Sequence, residues 1–210
     1  MNRTGIAAVV ASLVAGMLLG GCTPPENSGD APPPSTGAKA TPATSTAPTK
    51  GVAKLQVSST AFGDGEGIAV KYTGNGADES PPLKWSKPPA GTQEIAITCE
   101  DPDAPGGTFT HWIIWGIAPK TLSIPEGLPG TETIPTLLGA KQGKNDFDRI
   151  GWNGPKPPPG TEHHYVFVVY ALDAPLKLDA GADKAQFAKA LEGRVLAQGT
   201  LTGVYAFGLL

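Results

Sequence analysis

Apolar residues are distributed so unevenly along this chain that only its C-terminal part can form a hydrophobic core. Residues 23–50 contain no Val, Ile, Leu, Met or aromatic residue and are dominated by Pro, Thr, Ala and Ser. Such a segment cannot bury enough apolar surface to offset its conformational entropy. Hydrophobic content resumes at Val52 and continues to Leu210, a length typical of one domain. We therefore predict a disordered, extended spacer over residues 22–50 and one folded domain over residues 51–210.

The first 22 residues are typical of an exported lipoprotein. An apolar run from Ile6 to Leu19 follows Arg3 and is short for a membrane span, which needs roughly 20 apolar residues. The run ends in Leu19-Gly20-Gly21-Cys22, where small residues give a peptidase access to the backbone before a thiol that can carry a lipid. We predict a signal peptide over residues 1–21 and a lipid on Cys22 that anchors the protein to a cell membrane on its extracytoplasmic side. The alternatives are an ordinary signal peptide with an incidental cysteine and an uncleaved anchor helix.

Cysteine usage fits this interpretation. The chain has two cysteines, Cys22 and Cys99, so lipidation of the first leaves the second without a disulfide partner. Cys99 ends the strand-like run Ile95–Cys99, where we expect a small buried hydrophobic residue. A reactive thiol near a pocket is the alternative.

The charge of the chain argues against one class of partner. The formal net charge is −3 and no basic cluster occurs. Since nucleic-acid binding depends on a concentration of Lys and Arg, we expect no nucleic-acid partner.

The folded part is predicted to be mainly β. Segments rich in Val, Ile, Thr and aromatic residues are bounded by Gly, Pro, Asn or Asp, which is the pattern of strands. The candidate strands are Leu55–Ser58, Gly67–Tyr72, Glu94–Cys99, His111–Ile117, Tyr165–Leu172 and Thr200–Tyr205. Two stretches, Trp112–Ile117 and Tyr165–Leu172, are almost wholly apolar, so we expect both faces of these strands to be covered.

One helix is also predicted. Phe187, Leu191 and Val195 recur at every fourth residue, which indicates a helix over about Ala182–Ala197 with an apolar stripe that packs on a sheet. Long Gly/Pro-rich loops separate the strands, notably residues 74–82 and 121–156.

The three histidines lie at the starts of two apolar strands. His111 opens one strand and His163 and His164 open the other, each after a Pro/Gly-rich loop. Side chains alternate along a strand, so His163 and Tyr165 point to one face. If the two strands are adjacent, His111, His163 and Tyr165 surround one cavity. Asp101 and Asp103, which follow the Cys99 strand, are positioned to join them.

These residues belong to a set of motifs that resembles the phosphatidylethanolamine-binding protein family, in particular its bacterial branch. The first signature is similar to Asp101-Pro102-Asp103-Ala104-Pro105 with His111-Trp112 downstream, and the second to residues 154–167. Three further elements match the family pattern: Ser80-Pro81-Pro82-Leu83-Lys84-Trp85, the run from Asn145-Asp146-Phe147 to Gly151-Trp152-Asn153-Gly154, and Thr202-Gly203-Val204-Tyr205. The matches span about Val52 to the C-terminus, and together they are far more specific than any one of them.

The resemblance implies a β-sandwich of two antiparallel sheets with one or two short helices. It also implies a small pocket that binds anions, including phosphate and phosphorylated head groups. By position, the family's pocket residues fall on Asp101, His111, Pro158, His163 and Tyr165, with Asp103 supporting the loop. Two positions depart from the family: Phe109 stands where many members have Trp near the pocket mouth, and His164 stands where Arg is usual. At His164 we expect a weaker or pH-dependent structural contact.

A chemistry for the pocket follows from these residue types. Protonated imidazoles, backbone N–H groups and the Tyr165 hydroxyl would donate hydrogen bonds to an anion. Asp101 would orient a histidine and favour its cationic form. We therefore expect the affinity for phosphate to rise as the pH falls toward about 6.

Three classes of function remain open from the sequence. The first is a membrane-tethered binding module for a small anion or phospholipid head group. The second is an inhibitor of a cell-envelope protease. The third is a metal-dependent or acid–base hydrolase that uses Asp101, His111 and His163. Because the chain has no Gly-x-Ser-x-Gly or His-Glu-x-x-His motif, we predict no catalytic residue, no metal and no cofactor, and we leave a homodimer open.

Overall fold

The computed structural model describes residues 51–208, so the predicted signal peptide, Cys22 and the whole of the spacer lie outside the described residues. The described part holds short and long strands, one α-helix and two turns of 3-10 helix, at Val70–Tyr72 and Pro135–Leu137. The strands are β1 (Ala53–Lys54), β2 (Val57–Ser58), β3 (Glu66–Gly67), β4 (Leu83–Trp85), β5 (Glu94–Asp101), β6 (Phe109–Ile117), β7 (Ser123–Ile124), β8 (Thr133–Ile134), β9 (Ala140–Gln142), β10 (Glu162–Leu172) and β11 (Val195–Ala206). The helix α1 spans Lys184–Leu191.

The strands form two sheets. The larger has the order β1-β11-β10-β5-β6-β9-β8, with β3 also paired to β11, and the smaller has the order β2-β4-β7. Every pair is antiparallel except the two short pairs β1–β11 and β3–β11. The predicted mainly β, two-sheet architecture with short helices is confirmed.

The main core fills the space between the two sheets. Leu83 and Trp85 of the small sheet belong to the same buried cluster as Ile97 and Phe167 of the large sheet. Burying each such side chain contributes roughly 1.5–3 kcal/mol relative to exposure. A second cluster, built around Trp115 and Phe187, lies on the opposite face of the large sheet beneath α1.

The central strands are covered as predicted, but β10 is covered less completely. Nearly every residue of β5 and β6 is buried, whereas β10 alternates between buried and half-buried or exposed positions. Helix α1 reaches Tyr170, whose ring lies 6.4 Å from that of Phe187, and leaves Val166 and Val168 half-buried. The outer face of β10 is therefore partly open to solvent.

The predicted helix was too long at its C-terminal end. Asp183 caps its N-terminus through a reciprocal capping box with Gln186, and the helix ends at Leu191. Val195 instead begins β11, where it packs against the same cluster as Leu191. The four-residue spacing of Leu191 and Val195 therefore arises because both side chains pack against one cluster, and not because the helix continues.

Smaller differences concern the loops. The predicted strand Gly67–Tyr72 contains only the end of β3 followed by a 3-10 turn, and the predicted loop 121–156 contains β7, β8 and β9. Residues 51–208 include no cis peptide bond. Among these residues, no helix has the length and hydropathy that a membrane span requires.

Candidate functional site

The first component of the site lies where β5 ends. Asp101 is buried, and its Oδ1 accepts the backbone N–H of Asp103 at 2.9 Å. This contact is the usual turn-forming use of Asp before Pro. It fixes the direction of the carboxylate, and its second oxygen remains available to another strand.

A β-bulge in β6 places His111. Cys99 of β5 pairs with Trp112 of β6, but the next residue, Glu100, pairs with Thr110, so His111 is an extra residue on β6. A bulge changes the direction of a side chain that would otherwise follow the alternation of the strand. The ring of His111 consequently packs edge-on against that of Tyr165, at 5.1 Å between centroids.

His111 is held by the segment before β10. Its Nδ1 lies 2.6 Å from the carbonyl oxygen of Asn153. Because a carbonyl only accepts, Nδ1 carries the proton and donates it. Trp152, the preceding residue, stacks on Phe167 and contacts Trp112 edge-on, so this segment is anchored in the main core.

His163 is paired with Asp101. Its Nδ1 lies 2.7 Å from Oδ2 of Asp101, and both side chains are almost fully buried. The β10 alternation puts His163 and Tyr165 on the same face. We call the group Asp101, His111, His163 and Tyr165 the niche.

The sequence analysis placed the histidines in one cavity on the condition that their two strands are adjacent, and the strand order does not meet that condition. The two histidine-bearing strands, β6 and β10, are not adjacent, because β5 lies between them. The residues still meet, since β5 contributes Asp101 to the centre and the bulge moves His111 inward.

Both histidines keep one ring nitrogen uncommitted. Nδ1 of each ring is hydrogen-bonded, to Asn153 or to Asp101, and within the described residues neither Nε2 has a hydrogen-bond partner. In a neutral ring protonated at Nδ1, Nε2 is an acceptor, and it becomes a donor only in the cation. The niche therefore presents two hydrogen-bond acceptors when both rings are neutral, and one or two donors when one or both rings are cationic.

Burial opposes the cationic form of His111. It lowers the pKa of His111 below its usual value, and the hydrogen bond to Asn153 and the charge of Asp101 offset this only in part. The histidine that Asp101 orients is His163, whereas His111 is bound to a neutral carbonyl oxygen. Burial, followed by the nearby Asp101 charge, also raises the pKa of Tyr165 far above its usual value, so its hydroxyl stays protonated.

The supporting residues lie at the edge of the niche. The ring of Phe109 packs edge-on against that of His111, at 5.4 Å, and so forms an aromatic wall. Oδ2 of Asp103 accepts hydrogen bonds from the backbone N–H of His164 and from its ring Nδ1, each at 2.8 Å. The backbone hydrogen bond, followed by the side-chain one, lowers the pKa of Asp103. His164 is exposed, and with Asp103 it ties the 101–107 loop to β10.

Two other residues named from the sequence are not members of the niche. Pro158 is exposed, and its carbonyl accepts the backbone N–H and hydroxyl of Thr161, so it shapes the turn before β10. Its role as a pocket wall stays a prediction. Cys99 is fully buried, forms no disulfide among the described residues, and has a pKa that burial raises well above normal, which favours the buried hydrophobic interpretation.

Asn145 organises the loop beside the niche, a role the sequence did not reveal. Its Nδ2 donates to the Gly151 carbonyl at 3.0 Å and to Oδ1 of Asn153 at 2.8 Å, and its Oδ1 accepts the N–H groups of Phe147 and Arg149. Only its place in a motif singled it out. Its function depends on contacts with residues that the sequence alone does not place.

A surface groove adjoins the niche. It has a volume of about 290 Å³, and two of its lining residues, Phe147 and Asn153, contact His111. The full lining is Gly74, Asp78, Phe147, Arg149, Asn153, Gly154 and Lys156. Across residues 51–208, no three His, Cys, Asp or Glu side chains are grouped so as to hold a metal ion.

Comparison with known proteins gives one family. The sequence model of the phosphatidylethanolamine-binding protein family matches residues 58–206. The UPF0098 protein PH1269 of Pyrococcus horikoshii is 49% identical over 152 residues, covering 72% of this chain and 76% of its own length. LppC of Mycobacterium tuberculosis, which its name designates a lipoprotein, is 37% identical over 207 residues, covering 98% of this chain and 97% of its own.

Solved structures agree with the sequence relatives. Escherichia coli YbcL, described as a member of the mammalian PEBP family, superposes with a TM-score of 0.68 at 34% identity and covers 74% of this chain and 99% of its own. CT736 of Chlamydia trachomatis, described as a homologue of the same family, superposes with a TM-score of 0.65 at 34% identity and covers 72% and 97%.

Proposed function

Because the chain belongs to the phosphatidylethanolamine-binding protein family, we propose that it is a membrane-tethered, extracytoplasmic binding protein whose niche holds a small anion or a phosphorylated head group. One observation carries the proposal. Two buried imidazoles, His111 and His163, each have Nδ1 fixed by an acceptor and, among residues 51–208, no partner for Nε2, beside the buried carboxylate of Asp101.

Fixed rings suit the recognition of an anion that exchanges protons. When a ring is cationic, its Nε2–H donates a charge-assisted hydrogen bond to an anionic oxygen. When it is neutral, Nε2 accepts from the hydroxyl of a singly protonated phosphate monoester, whose second pKa lies near 6. Binding in the niche is therefore coupled to the proton count of ligand and rings together, and the affinity for phosphate rises as the pH falls toward about 6.

The surroundings make the niche selective for a small polar group. The rings of Tyr165 and Phe109 pack edge-on against that of His111 and make its surroundings largely apolar. Low local polarity strengthens a hydrogen bond once it forms. The Nδ1 contacts hold both rings in position before a ligand arrives, which lowers the entropy cost of binding.

The tether is part of the proposal. LppC, named as a lipoprotein, aligns with 98% of this chain, so the similarity extends beyond the folded domain to the segment around Cys22. Lipidation of Cys22 would hold the niche near a bilayer, and the Pro/Thr/Ala-rich residues 22–50 would be long enough to let it reach head groups of the same membrane.

The test is calorimetric titration of inorganic phosphate into the full-length protein at about pH 6. The variant carries His111→Asn and His163→Asn, because Asn keeps a donor for each Nδ1 acceptor and lacks Nε2. Each hydrogen bond to a charged group is worth about 1.5–3 kcal/mol, so we expect the affinity to fall at least about tenfold. His164→Asn, at an exposed ring, is the matched control and should bind as the wild type does. Unchanged phosphate affinity in the double variant would refute the proposal.

A further inference from the structure

The groove beside the niche carries positive charge that the niche does not use. Arg149 and Lys156 line it, and neither forms an ion pair among the described residues. Nearby lysines differ in this respect, because Lys144 pairs with Asp148 and Lys184 with Asp146. The two cations of the groove are thus available to a ligand.

The acidic residue in the groove wall is already engaged. Oδ1 of Asp78 accepts the backbone N–H of Gly154 at 2.6 Å, and Oδ2 accepts Nδ2 of Asn153 at 3.4 Å. These bonds aim the Asp78 carboxylate at the chain segment behind the groove. Its one negative charge against two positive charges leaves the groove with a net charge of about +1 at neutral pH.

Both cations project from backbone that is fixed. The N–H of Arg149 donates to Oδ1 of Asn145 at 3.1 Å, and its carbonyl accepts the Asn145 N–H at 2.9 Å. The stem of Lys156 lies across Gly74, where an added Cβ would come within 3.3 Å of the Lys156 Cβ and Cδ. The groove is therefore a defined surface and not two unrelated side chains on mobile loops.

The groove and the niche share two residues. The Asn153 carbonyl accepts the proton of His111 while its side chain lines the groove. Phe147 lines the groove and packs against the rings of His111 and Phe109, at 5.3 and 4.8 Å. The groove therefore borders His111 of the niche through Phe147 and Asn153.

We propose that the groove is a second anion subsite, and that the ligand is a phosphate ester with a second anionic group. One anionic group enters the niche and the other lies between Arg149 and Lys156. This inference rests on the proposed function of the niche and deepens it, because it names the chemical class that the whole site selects.

The test compares two ligands that differ in one group. 3-Phosphoglycerate has a carboxylate where glycerol 3-phosphate has a hydroxymethyl group. Calorimetry with the full-length protein should show tighter binding of 3-phosphoglycerate. In the variant Arg149→Gln with Lys156→Gln, its affinity should fall about tenfold, as expected for loss of charge-assisted contacts at a partly exposed site, while glycerol 3-phosphate binds as before. Lys87→Gln with Lys120→Gln, which alters two lysines of a separate cavity, is the matched control and should change neither affinity.

A parallel pair of ligands distinguishes a lipid source from a soluble one. Short-chain phosphatidylserine carries a phosphodiester and a carboxylate, and short-chain phosphatidylethanolamine lacks the carboxylate. A groove-dependent preference for the carboxylate in either pair supports the proposal, and the pair in which it appears identifies the source. A groove variant that binds all four ligands as the wild type does overturns it.

Failure of the subsite and failure of the niche give different results. If His111→Asn with His163→Asn abolishes binding and the groove variant changes nothing, the niche stands and the subsite is wrong. If the groove variant abolishes binding and the histidine variant changes nothing, the anion sits in the groove alone, and both the niche and the two-part ligand are wrong. A wild-type protein that binds none of the four ligands also overturns both.

Discussion

At the scale of single residues, the chemistry of the niche depends on the protonation of His111. Burial holds its pKa down, although Asp101, Asp78 and Asp146 all act to raise it. The ring is therefore mostly neutral at neutral pH, with Nδ1 bound to Asn153 and Nε2 ready to accept. A bound anion places a negative charge beside the ring, and this charge favours the uptake of a proton by His111.

The lowered pKa of His111 predicts how stability changes with pH. The unfolded chain titrates this residue at its usual pKa of about 6.5, above the folded value, so below about pH 6.5 the unfolded state binds more protons. The contribution of His111 to the free energy of unfolding is present above that pH and is lost as the pH falls through the folded pKa. One proton changes the free energy by no more than about 1.4 kcal/mol per pH unit.

Chemical denaturation at pH 7.5 and pH 5.5 checks this prediction. Wild type should lose more stability between the two pH values than His111→Asn, which does not titrate. Comparing the two proteins removes the contributions of other groups, such as Glu94, whose pKa burial raises. An equal loss in both proteins would show that His111 is not held neutral in the fold.

The residue types of the niche could be predicted from the sequence, but the hydrogen bonds that hold the histidine rings could not. Asp101, His111, His163 and Tyr165 stood out because they open or close apolar strands and match family motifs. The sequence could not identify the acceptor that holds the His111 ring, because Asn153 acts through its backbone carbonyl, which every residue possesses. Asn145 was equally hidden, since a buried amide hub is recognised only by its partners.

At the scale of elements, the bulge in β6 and the central position of β5 create the niche. The sequence predicted the central parts of the four long strands, because runs rich in Val, Ile, Thr and aromatic residues between Gly, Pro, Asn or Asp mark strands. It did not give the order of the strands, nor the one-residue shift at His111, since both depend on pairing across the sheet. The short strands β7, β8 and β9 were missed because two or three residues carry too little periodicity.

The segment 152–156, which borders the groove, has no room for a larger side chain at Gly154. A Cβ there would collide with the Tyr72 carbonyl oxygen and come within 2.7 Å of the Thr73 Cα. We expect Gly154→Ala to lower the free energy of unfolding by about 1–3 kcal/mol, as overpacking does, and to weaken ligand binding by moving Asn153.

Gly106→Ala is the matched control for this prediction. Nothing lies within 4 Å of a Cβ at Gly106, so its effect should stay within about 0.5 kcal/mol. Denaturation curves of both variants provide the measurement. Equal stability of the two would mean that the 152–156 segment is not tightly packed.

At the scale of the whole molecule, the sequence predicts a tether, a spacer and one binding domain. The predicted boundaries rest on composition, because a segment without large apolar residues cannot join a core. The proposed lipid anchor would give the site its context, since a niche held on a lipid would sample ligands close to a membrane.

Cys22→Ser tests the tether. Without the thiol no lipid can be attached, so the protein should move from the membrane fraction to the soluble fraction, and mass spectrometry should show the loss of an acylated N-terminal residue. The folded domain should keep its phosphate affinity, because Cys22 precedes it by almost 30 residues. A variant that stays in the membrane fraction would point to an uncleaved anchor helix instead.

The central claim is that ligand contacts Nε2 of both His111 and His163, and NMR of the ring nitrogens tests it most directly. The chain has three histidines, and His164 is an internal control because it is exposed and its Nδ1 is bound to Asp103. On titration with phosphate at about pH 6, the ¹⁵N resonances of Nε2 in His111 and His163 should shift and saturate together, while those of His164 stay in place. Saturable phosphate binding that leaves both Nε2 resonances unchanged would contradict the account.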